Sequence, residues 1–303
     1  MKILVSYRGI PQSPGWATGD MTVKALRGLG HEVYPYAKYY QKNEWVEGRE
    51  FGLDDHVFDL MLFMECNDGD PQYPELRLAR ARKTACWLFD TSYYADRCKR
   101  LVDYFGFDHL FLANPLTIQE YKVWGYNNVH YLPYACDSEL HVRPLEYPKT
   151  RDVVLVGSIR DDRRALATEL ADRGINLELI GNVFREEYID ALASAKIVIN
   201  QNPSEGRGLL NMRFFETSAA GSFIFTEDAD IIVQPMGEYP GEMRMGYPYM
   251  NTETLAMDCL SLLDNPAVLQ SHTKISQGRV LTYHTYHNRC EEILKTVFPN
   301  EGN

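Results

Sequence analysis

The residues best suited to chemistry lie in one run, Glu205-Gly206-Arg207-Gly208-Leu209-Leu210-Asn211-Met212-Arg213-Phe214-Phe215-Glu216. Gly206 and Gly208 permit close backbone approach, and a helix starting near Leu209 would aim its first amides at an anion. Asn211 and Arg213 then fall in the first turn, where a guanidinium can fork onto phosphate oxygens. Glu216 stands three residues further on and offers a carboxylate to two vicinal ribose hydroxyls. The competing reading is a capped surface helix with a solvated Arg–Glu pair at i, i+3. A second run, Val156-Gly157-Ser158-Ile159-Arg160, ends a strand and enters a helix. Its backbone amides and Arg160 could hold phosphate oxygens, although an ordinary strand–helix turn reads the same way. Neither G-x-G-x-x-G nor a Walker lysine motif is present, so the usual dinucleotide and ATP fingerprints are missing.

These runs need elements to position them, and the chain supplies an alternation of strand and helix patterns. Strands are predicted at 3–6, 32–36, 58–64, 85–89, 109–113 and 129–132, with helices between them, the first running through Met21, Val23, Leu26 and Leu29 and closed by Gly30. Pro144 and Pro148 interrupt the periodicity, which places a domain linker at 141–149. A second series follows, with strands at 152–156, 177–180, 197–200 and 223–226, and helices at 163–173, 186–193 and 210–219. From Thr252 onward the pattern is helical in three pieces, broken at Asn265-Pro266 and at Thr282. Such alternation implies α/β architecture with parallel sheets covered by helices. The expected division is 1–145, 146–281 and a terminal helix at 282–303 returning to the first domain. Ligands then belong at the carboxyl ends of the strands.

The 303 residues suit two domains, and 45% hydrophobic with 24% charged residues suits a packed core. The net charge of -11 argues against a chain built to coat nucleic acid or an anionic membrane. The charge is uneven: residues 1–150 carry 17 basic and 20 acidic side chains, and residues 151–303 carry 14 and 22. Arg77, Arg80, Arg82, Lys83, Arg97, Lys99 and Arg100 are expected on helices, where some share a face, most simply a solvated one. Cys66, Cys86, Cys98, Cys136, Cys259 and Cys290 form no C-x-x-C pair, and no spacing suggests a metal site. No signal peptide or span of ~18–20 apolar residues is apparent, so a soluble cytoplasmic protein without integral membrane association is expected.

The run Asn211-x-Arg213-x-Phe215-Glu216-x-x-Ala219-x-Gly221 resembles the donor-site signature of glycosyltransferases of the GT-B fold, and looks most like their spore-maturation-protein CgeB-like group. Tyr131-Leu132-Pro133-Tyr134-Ala135-Cys136-Asp137, Val154-Leu155-Val156-Gly157-Ser158 and His284-Thr285-Tyr286-x-x-Arg289 are similar to further segments of that group. The resemblance spans roughly 85–298. It implies two Rossmann-like domains facing a cleft and metal-independent transfer from a nucleotide-sugar, with a UDP-sugar the expected donor and no other cofactor. By motif, Glu216 would bind the ribose, Arg213 and Asn211 the diphosphate or sugar, Gly157 and Ser158 the phosphates, and Gly181-Asn182-Val183-Phe184 the base. Gly208 stands where the large retaining families carry a second glutamate, eight residues before Glu216, so a retaining outcome does not carry over.

In the first half, the loop Ser13–Asp20 would face the cleft: Gly15 and Gly19 give a tight turn, Trp16 offers a stacking surface, and Thr18 or Asp20 caps the following helix. Asp20 and Asp90 are the candidate bases for an acceptor hydroxyl, and both compete with an N-capping role. The acceptor stays open among polysaccharide, protein, small molecule and a hydroxymethylated base in DNA. A non-catalytic nucleotide- or sugar-binding protein on the same fold is the alternative class.

Overall fold

A computed structural model describes residues 1–9, 15–41, 44–48, 52–64, 79–92, 94–202, 210–227, 246–249 and 251–300, with no side-chain detail at 38–41, 44–48 and 54. The chain forms two units, Met1–Pro133 with Tyr286–Asn303, and Tyr134–Thr285.

The first unit holds a seven-stranded sheet in the order β3-β2-β1-β4-β5-β6-β7. Its strands are β1 (Lys2–Arg8), β2 (Glu32–Gln41), β3 (Glu44–Gly48), β4 (Val57–Met64), β5 (Arg80–Leu88), β6 (His109–Leu112) and β7 (Val129–Tyr131). All pairings are parallel except β2 with β3, a hairpin that the alternation did not predict. Ile3, Leu4, Val5, Leu60 and Leu62 are fully buried, as central strands covered on both faces require. Helix α1 (Thr18–Gly28) packs so closely on β1 that a Cβ at Gly19 would fall 2.0 Å from the Tyr7 ring. Helices α2 (Ala95–Phe105) and α3 (Ile118–Val123) lie between β5 and β7 in sequence. Arg80, Arg82 and Lys83 lie on β5 rather than on a helix, because the strand begins five residues earlier than its apolar core, and Arg82 pairs with Asp59 of β4 at 3.0 Å. Arg77 lies outside the described residues.

The second unit holds a wholly parallel five-stranded sheet in the order β12-β11-β10-β8-β9. These are β8 (Arg151–Val156), β9 (Leu177–Ile180), β10 (Ala195–Asn200), β11 (Phe223–Glu227) and β12 (Tyr247–Tyr249). Its helices are α4 (Asp161–Ala171), α5 (Arg185–Ala193), α6 (Met212–Ala219), α7 (Thr252–Leu263) and α8 (Pro266–Tyr283). The order reverses between β8 and β10, which opens a crevice at their carboxyl ends. The last helix, α9 (Tyr286–Val297), belongs to the first unit: Cys290 is buried with its Sγ 3.8 Å from the Thr22 carbonyl of α1. Arg289 donates from Nε to the Pro133 carbonyl at 2.9 Å.

The stretch expected as a linker is instead tied into the second unit. Arg143 pairs with Glu186 and Asp190 of α5, and its carbonyl accepts from Gln277 Nε2 of α8 at 2.8 Å. Lys149 donates to the Ala193 carbonyl, the Gly221 carbonyl and Ser222 Oγ at 2.7, 2.6 and 2.8 Å. Burial pushes this ammonium down to about 8, so three acceptors hold a charge that its surroundings disfavour. Lys149→Met strips those acceptors of their donor and is expected to lower unfolding free energy by about 2–3 kcal/mol. Urea denaturation checks this, and an unchanged midpoint would show that the contacts contribute nothing.

Candidate functional site

The crevice at the ends of β8 and β10 gathers two arginines around one glycine. Gly157 follows β8 with φ +135°, a conformation that L side chains rarely adopt. A Cβ there would lie 2.6 Å from Arg213 Nη2 and 3.1 Å from Arg163 Nη1. Only glycine therefore lets both guanidiniums approach the turn. Arg163, in the first turn of α4, is 3% exposed and donates to the Ser158 and Gln201 carbonyls at 2.7 and 2.8 Å. Burial first, then the charges of Arg213 and Arg160, push it down to about 10. Arg213, in the first turn of α6, donates from Nη1 to Asn200 Oδ1 at 2.9 Å.

Amides complete the floor. Asn211 donates from Nδ2 to Asn200 Oδ1 and Asn202 Oδ1 at 3.0 and 2.6 Å, and Asn200 donates to Thr226 Oγ1 at 3.1 Å. Arg163 Nε, Arg213 Nε, Asn211 Oδ1 and Gln201 Oε1 are buried with no hydrogen-bond partner. Native interiors leave few such groups, and the two arginine Nε atoms and Asn211 Oδ1 among them make this crevice a candidate site for a polar ligand.

A carboxylate stands one turn along α6. Glu216 is 5% exposed, accepts from Tyr188 Oη of α5 at 2.6 Å, and has His141 Nε2 3.7 Å away. Burial, then the Glu216 charge, raises the Tyr188 phenol well above its ordinary value, while Arg213 pulls the other way.

The expected donor residues thus divide. Gly157, Asn211 and Arg213 come together at this crevice, Glu216 stands one turn further along α6 against Tyr188 and His141, and Ser158 contributes its carbonyl to hold Arg163. Arg160 is drawn aside, its guanidinium clasped by Asp162 at 3.0 and 2.8 Å. Asn182 lies on the exposed β9–α5 turn with φ +57°. Helix α6 begins at Met212, so Asn211 is its N-cap, with the side chain turned toward Asn200 and Asn202 instead of the helix amides. Glu205, Gly206, Arg207, Gly208 and Leu209 lie outside the described residues.

In the first unit, Asp20 uses both oxygens locally, Oδ1 accepting from Tyr7 Oη of β1 at 2.7 Å and Oδ2 from Gly15 N and Ala17 N of its own loop at 3.0 and 3.2 Å. Gly15 takes φ +85° at this turn, Trp16 is half-buried, and Thr18 and Gly19 are buried in the first turn of α1. Asp90 is half-buried just past β5, and Tyr94, not Asp90, is the N-cap of α2.

Arg163, Asn200, Gln201, Asn202, Tyr188 and His141 were not singled out in the sequence. The amide run Asn200-Gln201-Asn202, closing the apolar strand Ile197–Ile199, was the available signal, since polar residues at the carboxyl end of a central parallel strand face the crevice. Among the described residues, no three His, Cys, Asp or Glu side chains cluster as metal ligands would, and no helix is long and apolar enough to cross a membrane.

Two parallel-sheet α/β units of this kind define the GT-B fold, and solved glycosyltransferases share it. Anabaena HepE, solved in complex with UDP and glucose, is 12% identical, with a TM-score of 0.63 over 99% of this chain and 100% of its own. A glycosyltransferase from Rickettsia africae is 12% identical, with a TM-score of 0.58 over 99% of each chain. AviGT4, a glycosyltransferase involved in avilamycin A biosynthesis, is 13% identical, with a TM-score of 0.60 over 98% of this chain and 96% of its own. No curated protein matches the sequence. The chain belongs to the glycosyl transferase-like family, whose profile matches residues 138–295. It is thereby a glycosyltransferase.

Two cations sharing one turn should attract a multivalent anion. Sulfate or pyrophosphate is expected to raise the melting temperature of the wild type, because a ligand that binds only the native state stabilises it. Arg163→Met should lose most of that rise. A rise of equal size in the variant would place the anion elsewhere.

Proposed function

We propose that the second unit binds a nucleotide-sugar, with a UDP-sugar the expected donor, and that the enzyme transfers the sugar to an acceptor hydroxyl without a metal ion. The observation that carries this reading is the convergence of Arg163 and Arg213 on Gly157. A leaving nucleoside diphosphate develops negative charge as the anomeric bond breaks. Preorganised cations stabilise such charge without reorganising during the reaction. Arg163 and Arg213 hold the diphosphate over the Gly157 turn, taking the part that a divalent cation would otherwise fill, and Asn211 contacts its oxygens or the sugar. Glu216 accepts the ribose hydroxyls. The base lies over the β9–α5 turn, where Phe184 is 69% exposed and Ile159 of the neighbouring turn 40% exposed, two apolar surfaces suited to a planar ring. HepE was solved with UDP and glucose, which makes UDP the first nucleotide to test.

On the acceptor side we assign the general base to Asp90, with Asp20, which accepts from Tyr7 Oη, Gly15 N and Ala17 N, as the second candidate. Asp90 stands at the carboxyl end of β5, where sites of parallel sheets gather.

Glu216→Ala is expected to weaken UDP binding at least tenfold, about 1.4 kcal/mol, with the unfolding midpoint within a few degrees of wild type. Isothermal titration calorimetry reads the affinity. Equal UDP affinity in a folded variant would remove Glu216 from the donor site. Asp90→Asn should leave UDP binding intact and abolish sugar transfer. Transfer at the wild-type rate would move the base elsewhere.

A further inference from the structure

We propose that Tyr188 and His141 are positioning residues that hold Glu216 as a fixed two-point receptor for vicinal hydroxyls, and that this fixity sets a preference for ribose over 2′-deoxyribose nucleotides. The inference rests on the donor reading above and adds to it the residues that give Glu216 its selectivity.

A buried carboxylate offers about four lone-pair positions, two on each oxygen. Tyr188 Oη occupies one on Oε2 at 2.6 Å. His141 faces the other oxygen, with Nε2 3.7 Å from Oε1, an electrostatic contact longer than a hydrogen bond. The orientation of that imidazole follows from its other nitrogen. Asp137 N donates to His141 Nδ1 at 3.0 Å, so Nδ1 is the acceptor and the proton of the neutral ring sits on Nε2, toward Glu216. The segment carrying His141 is itself locked. Asp137 Oδ1 accepts from Glu139 N and Leu140 N at 2.8 and 2.9 Å, and the Asp137 carbonyl accepts from His141 N at 3.2 Å. His141 is 1% exposed, so its ring has no room to turn away.

One donor therefore faces each carboxylate oxygen, which leaves a lone pair on each for a ligand hydroxyl. A ribose supplies both hydroxyls. A 2′-deoxyribose supplies one and leaves a charged acceptor buried without its partner, and an acceptor so placed costs more than a neutral one. A site built to receive a hydroxyl rejects the analogue lacking it only when the unpaired group cannot swing to another partner. Tyr188 and His141 remove that freedom.

The test is calorimetric titration of UDP and 2′-deoxy-UDP into wild type, Tyr188→Phe, His141→Asn and His141→Gln. Wild type is expected to prefer UDP by about ten- to a hundredfold, the worth of one hydrogen bond to a charged group. Tyr188→Phe keeps the ring and should cut that preference to a few-fold, mainly by weakening UDP. His141→Asn keeps an acceptor for Asp137 N but cannot reach Glu216, and should also lower the ratio. His141→Gln restores a donor near the Nε2 position and should recover part of it. A merely structural role would weaken both nucleotides equally and leave the ratio alone. That result in the folded Tyr188→Phe or His141→Asn variant overturns the proposal. Wild type that binds UDP with no ribose preference also overturns it while leaving the donor reading standing. Wild type that binds none of UDP, GDP and ADP overturns both.

Discussion

Two guanidiniums that repel each other share one glycine turn, and the second unit is arranged around keeping them there. Arg163 is 3% exposed, pushed down to about 10 by burial and by Arg213 and Arg160, and held by two carbonyls that carry no full negative charge. Like charges brought together out of water are unfavourable unless something offsets them. Here the hydrogen-bond partners are dipoles, the Ser158 and Gln201 carbonyls for Arg163 and the Asn200 amide oxygen for Arg213, while the Asp162 carboxylate favours the Arg163 charge without bonding its guanidinium. A diphosphate would supply the charge that these dipoles lack.

The constraint reaches into the fold. Arg163 comes to the turn because α4 starts immediately after it, and Arg213 because α6 starts at Met212 beside the end of β10. Gly157 must be glycine, both for its φ of +135° and because a Cβ would meet Arg213 at 2.6 Å. The amide floor of Asn200, Asn202 and Asn211 orients Arg213 and binds the start of α6 to the carboxyl end of β10. The pair Arg213 and Glu216, three residues apart on one helical face, then spaces a cation from a carboxylate by one turn. Tyr188 joins them electrostatically, since its phenol feels both charges.

Much of this was legible in the sequence. Strand and helix alternation gave the parallel sheets, because largely buried strands such as Phe58–Met64 read as nearly all-apolar runs, broken here only by Asp59. Asn211, Arg213 and Glu216 were visible because their spacing places them at a helix start. Arg160 reads as the phosphate ligand because it directly follows the Gly157 turn, and Arg163, three residues further on, is not singled out. What separates them is that Asp162 clasps Arg160 while Arg163 falls on the buried face of α4. His141 looked like part of a linker, and nothing local announces a contact with Glu216, 75 residues away in sequence. The basic residues of β5 were assigned to a helix because period-2 and period-3.6 patterns are hard to distinguish over a short polar lead-in. Strand β12 is three residues long, too short to carry a period. Of the break in the helical tail, Asn265-Pro266 was read directly, whereas the second break falls at His284-Thr285, where Cys136 N donates to the His284 carbonyl at 2.9 Å.

The central claim is that the Gly157 turn receives a diphosphate between Arg163 and Arg213. A crystal structure of the protein with UDP tests it most directly. The account predicts phosphate oxygens within hydrogen-bond distance of both guanidiniums and ribose hydroxyls on Glu216. UDP bound with its phosphates away from Arg163 and Arg213, or with its ribose on another residue, would contradict it.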